Sequence, residues 1–290
     1  MKLNKLIKAA IALSAATTVL VGCSGGSEGF DSSEYISVIS REDGSGTRGA
    51  FVELMGIEEK QQDGTKTDRT TEEAIITSKT DVMLTNVSGD EYAIGYVSLG
   101  SLNDTVKSLK IDGVEASSEN IKNGSYAVSR PFNIAVKEDI SEVAQDFIDF
   151  ILSAEGQAVV SDSYIAVDDA AEAYSGSKPE GKVVVAGSSS VSPVMEKLKE
   201  AYEEINTNAT IEIQTSDSTA GMTGAMDGTC DIGMASRELK DSELKSLTPI
   251  TIAMDGIAVI INNENPLEDI STEAVKNIYV GETTTWDEVE

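Results

Sequence analysis

Histidine is absent from the 290 residues, and cysteine occurs only twice. Without histidine there is no Ser-His-Asp triad, no Cys-His dyad and no ordinary zinc site. Cations are scarce too: 22 Lys and Arg face 50 Asp and Glu, a formal charge of −28. Nucleic acid and anionic membrane surfaces need a cationic face, so neither is an electrostatic partner. The GxxxxGK[ST] phosphate loop of nucleotide hydrolases is also missing. What remains is ordinary for a globular chain, 40% hydrophobic and 25% charged, too apolar for disorder. The length lies near the ~250–300 residues at which a single core stops growing, which predicts two lobes.

The first residues differ in kind from the rest. Lys2, Lys5 and Lys8 precede an apolar run from Ala9 to Val21, ending in Leu20-Val21-Gly22-Cys23. A basic start, a short apolar stretch and small residues form an export signal. The stretch is shorter than the ~20 residues that span a bilayer. Cys23 after Leu-Val-Gly resembles the lipobox of bacterial lipoproteins. That implies a signal peptide over 1–22, lipidation of Cys23 and a Ser/Gly-rich flexible tether over 23–33. Cys230 then has no internal disulfide partner, and its apolar setting predicts a buried, inert thiol.

Apolar runs alternate with helical patterns along the rest, the signature of an α/β fold. Strands are expected at 36–40, 93–97, 132–136, 183–186, 211–213 and 257–261. The last is continuously apolar and therefore central in a sheet. Helices are expected after Ser45, from Thr70 (with Glu73 at capping-box spacing), from Ser141, over 194–205 and over 271–279. Residues 168–181 hold acids, Ala, Ser, Gly and Pro179 but no large aliphatic side chain, and read as a linker. Trp286, Tyr279, Met222 and Met226 read as packing residues, and Arg130 before Pro131 as part of an extended structural turn.

Four Gly/Ser/Thr turns follow strands: Gly44-Ser45-Gly46-Thr47, Gly187-Ser188-Ser189-Ser190, Ser216-Asp217-Ser218-Thr219 and Ala235-Ser236-Arg237. One such turn is usually only a helix cap. Four of them, with Arg41 beside one, point to convergence on a small oxyanion, because helix starts present N–H groups and a positive dipole end. Negative surface charge does not oppose this, since carboxylates beyond roughly 8–10 Å are screened while Arg41 acts at contact distance.

Arg41-Glu42-Asp43-Gly44-Ser45-Gly46-Thr47-Arg48, Gly187-Ser188-Ser189-Ser190-Val191-Ser192-Pro193 and the stretch from Asp231 to Leu239 together resemble the PstS-type phosphate-binding proteins of ABC importers. The resemblance runs from Tyr35 to the end of the sequence. It implies a two-lobed, hinged fold of the periplasmic-binding-protein type II kind. The binding residues it implies are Arg41, Ser45, Gly46, Thr47, Ser189, Ser190, Ser218 and Ser236. Asp43, Gly44 and Thr219 would support them, with Asp43 orienting Arg41, and the N–H groups of Gly46 and Ser190 would donate to the anion. Many members carry an Asp near the position of Ser236 to accept the proton that phosphate carries and sulfate lacks. Asp217 is a substitute acceptor or a solvent-facing turn residue; Arg237 reaches the ligand or pairs with Glu238 or Asp241.

The order of the halves departs from the family, whose GSSSV-like turn comes early and whose RxDGSGT turn comes in mid-chain. A circular permutation is expected, with one lobe split over 34–103 plus 264–290 and the other over 104–263. The hinge would then lie near 101–106 and 262–266. The resulting reading is an exported, lipid-anchored, monomeric phosphate receptor serving a membrane permease, with no cofactor, no metal and no catalytic residue. Its alternatives are a sulfate or molybdate binder, or a sensing or adhesive surface lipoprotein. A phosphatase using Ser45 or Ser189 would lack a His base, a metal-ligand cluster and any Lys base beside the turn.

Overall fold

The computed structural model describes residues 29–61 and 65–289. The expectations for 1–22, Cys23 and most of the tether fall outside the described residues. The principal sheet runs in the order Ala209–Ser216, Gly181–Ser188, Ile232–Ala235, Ser129–Val136, Thr248–Ile261, Ala93–Ser98, Ser37–Arg41, Ile75–Thr77. Pairing is parallel toward both ends and antiparallel through the middle. The middle is dominated by the 14-residue strand Thr248–Ile261. Its first part pairs with Ser129–Val136 and its last part with Ala93–Ser98. Ile257–Ile261 are fully buried, as a continuous apolar run demands.

Two hydrophobic cores flank that shared strand. The first gathers Ile36 to Val128 and Ile257 to Trp286. The second gathers Phe132 to Ala253, beside a satellite around Met222, Ala225 and Cys230. The chain therefore crosses between cores near 129–131 and 254–256. This moves the expected boundaries of 103/104 and 263/264. Val106, Leu109 and Ile111 pack on the first core, and the Leu109 amide donates to the Val259 carbonyl. The expected hinge segments near 101–106 and 262–266 thus sit beside the first core, and the crossings lie elsewhere.

The expected strands hold, as do the expected helices with one exception. Ser45, Ser141 and Ser271 cap helices Gly46–Leu54, Glu142–Leu152 and Thr272–Tyr279 by accepting from a backbone N–H three residues on. No helix starts at Thr70. The Thr70 amide and hydroxyl both donate to Asp68, and Ile75–Thr77 pairs in parallel with Ser37–Arg41. A β-branched run beside an open sheet edge outweighs the capping-box spacing. The helix comes later, over Thr80–Gly89.

The 168–181 segment holds no helix, and its last residue opens the Gly181–Ser188 strand. It is nevertheless pinned to the second core. Buried Asp146 accepts from the Tyr174 hydroxyl at 2.6 Å and the Ser177 amide at 2.9 Å. At the far side of the molecule the two ends of the described chain meet. Tyr35 bridges Thr285 in antiparallel fashion, the Ile36 amide donates to Thr284 at 2.8 Å, and the Asp287 amide donates to Ser32 at 2.7 Å. Phe30, Tyr92 and Trp286 pack their rings over this junction.

Candidate functional site

The four turns come together on the seam between the cores. Strand Ser37–Arg41 ends with Arg41 only 2% exposed. Helix Gly46–Leu54 starts at once, so Ser45, Gly46 and Thr47 face the second core from a helix N-terminus. From that core come Ser188, Ser189 and Ser190 at the end of Gly181–Ser188, Ser218 at the start of Ser218–Asp227, and Ser236 after Ile232–Ala235. All of these hydroxyl residues are less than a tenth exposed. The Thr47 hydroxyl lies 2.8 Å from that of Ser190 and 3.2 Å from that of Ser236. Ser188 donates to Ser236 at 3.0 Å, and Ser218 lies 3.5 Å from Ser236.

Glycine at 46 is dictated by this approach. A Cβ there would stand 2.4 Å from Ser218 Oγ and 2.9 Å from Ser236 Oγ, so any side chain would force the cores apart. At Gly44 a Cβ would meet the Asp217 carboxylate at 2.3 Å. The Gly44 carbonyl accepts from both the amide and the hydroxyl of Thr219, each at 3.2 Å. Gly44, Gly46 and Gly49 also stand at the G-x-G-x-x-G spacing of dinucleotide turns. Here Ser218 and Asp217 of the other core take the space that a dinucleotide would need.

Arg41 is held differently from expectation. Its Nε and Nη2 donate to the two carboxylate oxygens of Glu42, both at 2.8 Å, a bidentate pair. Asp43 points outward at the tip of the turn, 96% exposed in its side chain, and pairs with Arg48 instead. Glu42, not Asp43, orients Arg41. The remaining donors of Arg41 reach Ser189 Oγ at 3.0 Å and Thr80 Oγ1 at 3.4 Å. The Ser190 amide donates to Ser188 Oγ at 3.3 Å. Asp217 caps its helix by accepting from the Ala220 amide. Arg237 neither enters the cluster nor pairs with Glu238 or Asp241 side chains. It forks onto Glu243 at 2.8 and 2.9 Å. Burial raises the Glu243 carboxyl pKa, but this fork and the Lys240 amide outweigh it and hold the group below the ordinary range.

Three residues of the cluster escaped the sequence reading. Thr80 lies within 3.4 Å of the hydroxyls of Ser189 and Ser190, although nothing in its local pattern distinguishes it from a helix-start threonine. Arg130 is 3% exposed; its Nη2 donates to Thr47 Oγ1 at 3.0 Å and its Nε to the Ser236 carbonyl at 2.9 Å. Asp255 stands opposite it in the sheet, with Arg130 Nη1 2.9 Å from its Oδ2 in an ion pair that lacks hydrogen-bond alignment. Burial pushes the Asp255 carboxyl up to about 6, against the pull of Arg130 and of the Gly100 amide, which donates to its Oδ1 at 3.4 Å. The same burial draws the Arg130 pKa down. A buried cation next to a proline was the available signal. The arrangement offers an anion the Arg41 guanidinium and a cage of hydroxyls drawn from both cores, with Arg130 bonded to Thr47 behind them.

The family described as PBP superfamily domain matches residues 27–155 and 172–290. The phosphate-binding protein PstS 2 of Streptococcus agalactiae serotype V is 54% identical over 274 residues, 93% of each chain. The chain belongs to the PstS-type phosphate-binding family. A crystal structure of a phosphate-binding protein of a phosphate ABC transporter, from Streptococcus pneumoniae TIGR4, is 47% identical. It covers 88% of this chain and 100% of its own, with a TM-score of 0.70. The PstS of Staphylococcus saprophyticus is 35% identical but over only 120 residues, 39% of this chain and 38% of its own. Of the residues the resemblance named, the seam brings together Arg41, Thr47, Ser189, Ser190, Ser218 and Ser236. The Ser45 hydroxyl accepts from the Arg48 amide, which caps the helix and leaves its proton available to donate. Cys230 is buried, and burial raises its thiol pKa. Among the described residues no group of His, Cys, Asp and Glu could hold a metal ion.

Proposed function

We propose that the chain is the extracytoplasmic binding protein of a phosphate ABC importer, capturing inorganic phosphate between its two cores and delivering it to permease subunits. The observation that carries this is the inter-core cluster in which Arg41, Thr47, Ser189, Ser190, Ser218 and Ser236 converge. Donors from both cores desolvate a small anion and strengthen each hydrogen bond to it, and hinge closure over the ligand follows from the two chain crossings. The relatives named for phosphate binding support the ligand.

The lipobox-like segment ending at Cys23 supports a lipid anchor on the outer face of the cytoplasmic membrane. The reading includes no catalytic step. Ser45 is bonded to the Arg48 amide, and Ser189 to Arg41 and Thr80, none of which is a base. We read the order of the halves as a circular permutation, in line with the contact between Tyr35 and Thr285 and with the short stretch shared with the staphylococcal protein. The single match over 274 residues means that the agalactiae relative has the same order.

Titration calorimetry with phosphate, alone and with excess sulfate, tests the function. Tight 1:1 phosphate binding that sulfate leaves intact is expected. Equal competition by sulfate would replace the reading with a general oxyanion binder, and no heat with either anion would sink it.

A further inference from the structure

We infer that Arg130 is a positioning residue for the anion, acting through Thr47. The inference rests on the proposed phosphate site but adds a residue outside its four turns. A guanidinium can only donate, so its 3.0 Å bond to Thr47 Oγ1 occupies an acceptor position of that hydroxyl. Thr47 therefore sends its single proton the other way, toward Ser190 and Ser236 at 2.8 and 3.2 Å, where the cluster faces its ligand.

The same inventory runs through the neighbouring hydroxyls. Ser218 Oγ accepts from the Ser236 amide at 3.2 Å, and Ser188 Oγ accepts from the Ser190 amide at 3.3 Å and donates to Ser236. Each of these hydroxyls has an acceptor position filled from the protein side; Ser188 gives its proton to Ser236, and Ser218 keeps its own for the ligand side. Arg130 provides this polarity for Thr47 from a place that few residues could occupy. It lies at one chain crossing, opposite Asp255 at the other. Its Nε holds the Ser236 carbonyl of the second core while its Nη2 holds Thr47 of the first. Its guanidinium carbon lies 5.2 Å from the Phe132 ring centroid, which fixes the plane of the fork.

A double-mutant cycle on the full chain tests this, read by calorimetry with inorganic phosphate. Arg130→Met is expected to weaken binding at least tenfold. In a Thr47→Val background the same substitution should cost less than threefold, because the hydroxyl it orients is gone. Arg130→Lys keeps a charge beside Asp255 and guards against misfolding, checked by circular dichroism. One ammonium cannot serve Thr47, the Ser236 carbonyl and Asp255 together, so this variant should also lose about tenfold. Equal losses from Arg130→Met or Arg130→Lys with and without the Thr47 hydroxyl would overturn the coupling, as would unchanged affinity in folded Arg130→Lys. If the unmodified chain binds no phosphate, the phosphate reading itself fails and this inference with it, a result distinct from the other two.

Discussion

Arg41 and Asp255 show how differently two buried charges are used. Arg41 meets its carboxylate partner through a bidentate fork from the next residue and still directs donors to Ser189 and Thr80. Replacing it by Ala should weaken phosphate binding by about 2–3 kcal/mol, the loss of a charged hydrogen-bond donor from a buried site. Calorimetry reads this directly, and unchanged affinity would place the anion elsewhere. Asp255 is governed by burial, which holds its pKa at about 6 in the folded chain against 3.8 for the ordinary group. The folded state therefore binds the extra proton between these values, and this carboxyl's stabilising contribution fades as pH rises through about 6. Asp255→Asn lacks that titration. Its stability relative to the unmodified chain should rise by about 2 kcal/mol between pH 4 and 6 and level off by about pH 7. Urea unfolding at several pH values measures this; a flat difference would mean that Arg130 keeps Asp255 ionised throughout.

At the scale of elements, the site is a meeting of helix starts. The turn before helix Gly46–Leu54 presses against the start of Ser218–Asp227 so closely that the missing Cβ of Gly46 is part of the geometry. Gly46→Ala suits a helix better than glycine does, so the melting temperature should stay or rise slightly. Phosphate affinity should nevertheless fall by about a hundredfold, because a methyl group 2.4 Å from Ser218 Oγ blocks the approach of the cores. Small-angle scattering with and without phosphate would show a radius of gyration that no longer shrinks. A variant that still closes and binds would refute this account of the glycine. The helices after Ser45, Ser141 and Ser271 were legible in the sequence because their starts are set by local capping interactions. The helix expected at Thr70 failed because Asp68 took the Thr70 hydroxyl and the sheet took Ile75–Thr77.

For the whole molecule, the strand Thr248–Ile261 is the spine, shared by both cores, and the described ends pair with each other at Tyr35 and Thr285. If the halves are permuted, order along the chain is of little consequence to the fold. Joining 289 to 35 through a short linker and opening new ends between 170 and 171 should give a protein that folds and binds phosphate, with a melting temperature within a few degrees. Surface segments tolerate such cuts when few backbone hydrogen bonds cross them. That site lies short of the Tyr174 and Ser177 bonds to Asp146, so the pinned part of the segment stays intact. Failure to fold would show that the present order is itself required.

The α/β class, the four Gly/Ser/Thr turns after strands and the placement of Arg41 beside one of them were legible in the sequence, because each is written in a few adjacent residues: a strand, a glycine or serine, a cap. The lack of histidine removed the Ser-His-Asp and Cys-His arrangements and the ordinary zinc site. Only the tertiary structure decided that Glu42 rather than Asp43 holds Arg41, that Arg237 belongs to Glu243, and that the cores divide near 129–131 and 254–256. Those outcomes depend on which side of a turn a carboxylate faces and on where one long strand changes partners. Arg130 and Asp255 lie 125 residues apart in sequence yet opposite each other in the sheet. Their pairing is a property of register, and register is set by packing of the whole fold.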